Sequence, residues 1–99
     1  MSRTDDMSIN EFYECVKKLY YKVSAMIPDS VDREGAMSAI NAGEPECAIE
    51  NILIDANEQG VLDRAVLDFV EAELTALTGG PVSYVIEELR SDLDRKGVS

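Results

Sequence analysis

The chain has 99 residues, room for one domain and too little for two. Its apolar content of 45% suits a packed core, so a net charge of −11 does not mark a disordered acidic tail. It has no histidine, which removes the commonest general base and zinc ligand, and no run of about 20 apolar residues that would span a membrane.

The opening MSRTDDMS is polar and lacks the apolar core of a secretion signal. Residues 1–7 are therefore expected to be a flexible N-terminus, residues 8–97 a single helical domain, and the protein cytoplasmic. The first helix is predicted from Ser8 to Ile27. Ser8 and Glu11 have the spacing of a capping box. Ile9, Phe12, Tyr13, Val16, Leu19, Tyr20, Val23, Met26 and Ile27 recur at helical spacing and are expected inside. Glu14 and Lys18 are set for an i,i+4 pair, and Pro28 ends the helix. A short second helix is predicted from Val31 to Asn41, capped by Asp29 or Ser30, with Val31, Met37 and Ile40 inward and Gly43 as its stop.

The third helix starts at Pro45, a residue welcome at the first helical position, and closes at Gly60. Ile49, Ile52, Leu53 and Ala56 form its inner stripe. Cys47 and Ile54 point away from that stripe. Either the helix is covered on two sides, the favoured expectation, or Ile54 is exposed to a partner. The fourth helix runs from Asp63, its N-cap, to Thr78, with Leu62, Val66, Phe69, Val70, Leu74 and Leu77 on its apolar face and Glu73 at a helix seam. Gly79-Gly80-Pro81 breaks the chain. The fifth helix runs from Pro81 to Lys96, with Val82, Val85, Ile86, Leu89 and Leu93 inside and Gly97 at its end. No window alternates like a half-buried strand. Short connections between helices make neighbours antiparallel, so the expected fold is all-α, a compact antiparallel bundle of four to five helices. Cys15 and Cys47 are expected to be free thiols, in the core or half-buried.

The charge is uneven. Residues 1–40 and 79–99 are near balance, whereas residues 41–78 carry Glu44, Glu46, Glu50, Asp55, Glu58, Asp63, Asp68, Glu71 and Glu73 against Arg64 alone. A solvated face would intersperse lysines. A single-sign face repels itself and is better explained by a positively charged partner. It also opposes direct contact with nucleic acid, whose phosphates it would repel.

Two motifs invite other assignments. Asp55, Asn57, Gly60, Leu62 and Asp63 are spaced like the start of a calcium loop, but Val66 stands where a bidentate glutamate is required, so no metal is expected. Pro28-Asp29-Ser30-Val31 resembles the Asp-Ser-Leu attachment site of acyl carrier proteins. The long loop before that serine and the leucine after it are missing, and a helix cap explains Ser30 more simply.

The stretch Asn41-Ala-Gly43-Glu44-Pro45-Glu-Cys-Ala48-Ile49-Glu50-Asn51-Ile52-Leu53, continued by Ile54-Asp55-Ala56-Asn57-Glu58, resembles a segment of the MafI-like immunity proteins of bacterial polymorphic toxin systems. Contact-dependent growth inhibition immunity proteins are relatives in role. The resemblance is local, covering residues 41–58. Gly43, Glu44, Pro45, Ala48, Glu50 and Leu53 match it, as turn, cap, helix start and core. It implies a cytoplasmic, non-catalytic protein that binds and neutralises a cognate toxin domain, often a nuclease. The charge pattern agrees, because a nuclease site that holds phosphate is basic and an acidic helical face can occupy it. The expected interface is the acidic segment, with Glu46, Glu50, Asp55, Glu58, Asp68 and Glu71 as contacts and Tyr21 as aromatic anchor. The chain is expected to be a monomer or weak dimer, with no cofactor, metal, catalytic residue or membrane contact. The alternatives are an acidic carrier protein modified at Ser30 and a regulatory adaptor for a basic protein.

Overall fold

Each apolar stripe in the sequence closes on a helix. The computed structural model describes residues 9–80 and 83–97. In chain order it has α1 (Ile9–Ala25), α2 (Glu34–Asn41), α3 (Pro45–Glu58), α4 (Arg64–Thr78) and α5 (Tyr84–Lys96), with no strand among the described residues. The all-α bundle is the fold.

On α1, Val16, Leu19, Tyr20 and Val23 form the buried face, and Ile27 joins them from the turn beyond. Two expected core positions are exposed. Ile9 lies in the first turn, ahead of the packed stretch, and is 88% exposed. Met26 follows the last helical residue, where helical periodicity no longer directs it inward. Ser8, half of the expected capping box, lies outside the described residues. The Glu14–Lys18 pair is not among the ion pairs of the described residues.

The junction between α1 and α2 is held by Arg33. Its Nε donates to Ser24 Oγ at 2.8 Å, Nη1 to the carbonyls of Val31 (2.7 Å) and Pro28 (3.2 Å), and Nη2 to those of Ser24 (2.8 Å) and Ile27 (2.9 Å). The planar fork of donors gathers carbonyls from the last turn of α1 and from the turn that follows it, at the negative end of the helix. This junction displaces the expected start of α2. Val31 is buried, so the chain must first turn into the core, and the helix begins only at Glu34. Neither Asp29 nor Ser30 caps it; Asp32 Oδ1 instead accepts from the Glu34 amide at 3.0 Å.

From α2 the chain reverses at Gly43, whose φ of +80° suits glycine, and Pro45 opens α3 as expected. Pro45, Ala48, Ile49, Ile52, Leu53 and Ala56 are its buried stripe. On α4, Asp63 Oδ1 accepts from the Val66 amide at 3.1 Å, the cap read from sequence. Phe69, Leu74 and Leu77 are only partly buried, whereas Leu67, not expected in the core, is fully buried. Helix α5 begins later than Pro81 because Ser83 caps it, accepting from the Val85 amide at 3.1 Å. Pro81 and Val82 lie outside the described residues.

The principal packed pairs are α1–α3, α1–α4, α3–α5 and α4–α5, with α2 laid on α3. This makes a ring of four helices in which α3 and α4 occupy opposite corners. Leu67 is buried because α4 is gripped from both neighbouring corners. Met37 remains 36% exposed, with its sulfur 3.8 Å from the hydroxyl of the buried Tyr20.

Replacing Arg33 leaves several carbonyls without their donor. Arg33→Ala is expected to lower stability by about 2 kcal/mol, and Arg33→Lys to recover less than half of that, since an ammonium cannot reproduce the fork. Urea unfolding followed by circular dichroism checks both.

Candidate partner-binding surface

The ring order decides which acidic side chains share a surface. The acidic segment of the sequence lies on α3 and α4, but these helices stand diagonally, with α5 packed between them on one side. The expected single face across α3 and α4 is therefore divided, and the cations of α5 treat its halves differently.

The α4 half is partly offset by one cation of α5. Arg90 Nη1 reaches Asp68 at 2.8 Å and Nη2 reaches Glu71 at 2.5 Å. These contacts hold the guanidinium protonated, its pKa raised first by the hydrogen bond it donates to Asp68. Arg64 pairs with Asp94 nearer the start of α4. On the α3 half, Glu50 is half-buried, and its Oε2 accepts from the Ser83 hydroxyl at 2.8 Å, tying α3 to the start of α5. Glu46 is exposed in the first turn. Asp55 is half-buried and projects about 140° around the helix from Glu50, so the two do not share a face. Glu58 is exposed and faces α5. Tyr21 is 48% exposed on α1, its ring edge-on to Tyr20 with centroids 5.2 Å apart. It stands on α1, the corner diagonal to α5.

Between α3 and α5 runs an open groove of about 810 Å³. Ile54, 38% exposed, stands on the α3 wall, and Tyr84, 69% exposed, on the α5 wall. Packing of α3 by several helices does not reach Ile54, so the favoured expectation that two-sided packing would cover it does not hold. Val85 and Leu89 add apolar surface below, and Glu58, Glu87 and Glu88 form an exposed acidic rim. Asp92 also lines the groove but is already satisfied. It accepts from Asn57 Nδ2 at 2.8 Å, Arg95 at 2.5 Å and Lys96 at 3.0 Å. These contacts, the Asn57 hydrogen bond foremost, hold its carboxyl far below the usual range.

Sequence reasoning missed Tyr84, Glu87 and Glu88. The signal was present: they are spaced i, i+3 and i+4, opposite the stripe of Ile86, Leu89 and Leu93. It was overlooked because residues 79–99 are nearly neutral as a block.

The other motifs are absorbed by structure. In the calcium-like segment, Asn57 binds Asp92 and accepts from Lys96, Gly60 turns the chain at φ +73°, and Asp63 caps α4. No cluster of three or more metal-ligating side chains occurs among the described residues. Ser30 is exposed in the turn ahead of α2 and does not open a helix. Both cysteines are free; Cys15 is half-buried, but Cys47 is exposed rather than semi-buried. Desolvation and the nearby Glu44, Glu50 and Glu46 push the Cys47 thiol up, away from reactive thiolate. No helix among the described residues is long and apolar enough to cross a membrane. Comparison with protein-family models, curated proteins and solved structures gives no match.

The Asp92 network links α3 to α5 and makes their contact pH-dependent. Because the folded-state pKa lies below the ordinary 3.8, its stabilisation is complete above that value and lost as pH falls through and below it. The protection factors of α5 amides, taken relative to unfolded-chain exchange at each pH, are expected to fall on acidification below about pH 4. Asn57→Ala is expected to move the Asp92 carboxyl back toward its ordinary value, which a carbon-13 carboxyl titration reads directly.

Proposed function

We propose that this chain is an immunity protein of the MafI-like kind: a non-catalytic inhibitor that binds and neutralises a basic toxin domain, of the nuclease class. The observation that carries the reading is the unbalanced carboxylate surface. Glu44, Glu46 and Glu58 are exposed and Asp55 is half-buried, and none has a cationic partner among the ion pairs of the described residues. Self-repulsion on such a surface is relieved when cations arrive from another molecule. The local likeness of residues 41–58 to that family points the same way. Its Gly43, Glu44 and Pro45 serve as turn, cap position and helix start, and Ala48 and Leu53 as core. A carrier role at Ser30 gains no support, since that serine lies in a turn.

A protein in this role works in the cytoplasm beside its toxin. It acts by occupying or shielding a phosphate-binding surface, with charge to attract it and helical bulk to exclude nucleic acid. The acidic surface steers association, so the effect of salt falls mainly on the association rate.

The test is the neighbouring gene: a toxin gene directly upstream is expected, and its C-terminal domain is co-expressed with this chain. Growth is expected to be restored, and the purified pair is expected to lose about tenfold or more in affinity from low to physiological salt, as steered pairs do. Continued toxicity in the presence of folded protein would sink the immunity role, and affinity independent of salt would remove charge as its basis.

A further inference from the structure

We propose that the α3–α5 groove is the docking site for a cationic amphipathic segment of the protein partner, seated by an apolar side chain between Ile54 and Tyr84 while its lysines or arginines meet Glu58, Glu87 and Glu88. The inference rests on the reading of the chain as a binder of a basic protein and names where and how that partner is held.

Three observations converge on this groove. Its volume of about 810 Å³ is large enough for several side chains. Its walls carry two exposed large apolar side chains, Ile54 from α3 and Tyr84 from α5. Tyrosine offers broad contact area at small entropic cost and is enriched among binding hot spots. Its rim is of one sign where it is free: Asp92 and Arg95 are paired with each other, leaving Glu58, Glu87 and Glu88 exposed. An apolar floor within an acidic rim is complementary to a segment with an apolar stripe and flanking cations. A second copy of this chain would bring like charge against that rim. Nucleic acid would bring phosphate.

The chain has no tryptophan, so a peptide carrying one gives an unobstructed fluorescence signal. The probe is a helical lysine–leucine peptide with a single tryptophan on its apolar stripe, titrated against the full chain. A blue shift is expected on binding. Ile54→Ser with Tyr84→Ser, and separately Glu87→Lys with Glu88→Lys, are each expected to weaken binding by about tenfold or more. Glu14→Lys with Asp29→Lys makes the same change in net charge at exposed positions outside the groove and is expected to change affinity less than threefold, within screening of distant charges. A peptide with its leucines replaced by serine is expected to bind about tenfold more weakly than the parent. All substituted positions are solvent-exposed, and circular dichroism verifies the fold of each variant. Equal losses from groove and control variants would overturn the proposal, as would concentration-dependent self-association abolished by Ile54→Ser, which would give the groove to a second copy. If the Ile54→Ser, Tyr84→Ser chain still neutralises the toxin domain at full strength, the groove proposal falls and the immunity role stands. If the groove binds the peptide as expected while no toxin is neutralised, the role falls and the docking site stands.

Discussion

The structure depends on the apolar stripe of α3. Ile49, Ile52, Leu53 and Ala56 are essentially inaccessible, and covering them requires neighbours on several sides at once. Helices α1, α2 and α5 supply that cover. Full burial of each large aliphatic side chain contributes roughly 1.5–3 kcal/mol, so the stripe outweighs any single polar contact on the surface. Once α3 is committed in this way, only its outer face is left, and that face carries Ile54, Cys47 and Glu58. The candidate surface is thus a consequence of the core: the residues left uncovered are those the stripe cannot use.

Helix α5 shows how packing and charge divide the work. Its buried set is only Ile86, Leu89 and Leu93, yet it touches both α3 and α4. Its polar contacts are partly solvated, and exposed ion pairs of this kind are worth roughly 0–1 kcal/mol each, so apolar burial holds the helix in place. The polar contacts instead set its register. Arg90 can reach both Asp68 and Glu71, and Asp92 can meet Asn57, only at one longitudinal position of α5. That position has an electrostatic outcome: the cation that α5 presents toward α4 cancels acidic charge there, while the side it presents toward α3 adds Glu87 and Glu88 to Glu58. The groove between α3 and α5 thereby gathers exposed carboxylates from two helices that are far apart in sequence.

Features fixed by near neighbours were legible from sequence. Asp63 caps α4, Gly79 ends it in the left-handed conformation, and the α3 stripe follows helical spacing throughout. Features fixed by distant partners were not. The start of α2 depends on Arg33 gathering carbonyls from Ser24 to Val31 and on Val31 entering the core, neither of which local capping preferences reveal. The pairing of Arg90 with two α4 acids depends on ring order, which short connections alone do not determine. For that reason the acids expected to act together were separated, and Asp68 and Glu71 pair at the surface with Arg90 of α5. Ile54 was the informative exception. Its position off the stripe was visible at once, and that it stays exposed followed only from where α5 sits.

For an inhibitor of a phosphate-binding protein, the distinction between rim and floor has a physical consequence. Nucleic acid competes for the same basic surface, and its affinity falls steeply as salt displaces the advantage of counterion release. A decoy built of carboxylates alone would be screened by the same salt and would gain no margin over its competitor. Apolar contact is not screened in this way, so side chains such as Ile54 and Tyr84 can supply residence that nucleic acid cannot match through its phosphates. Carboxylates at the rim then serve chiefly to accelerate encounter, where their long range matters most. In the immunity role proposed for this chain, an apolar contact inside an acidic rim satisfies both requirements, and neither part of the groove is sufficient without the other.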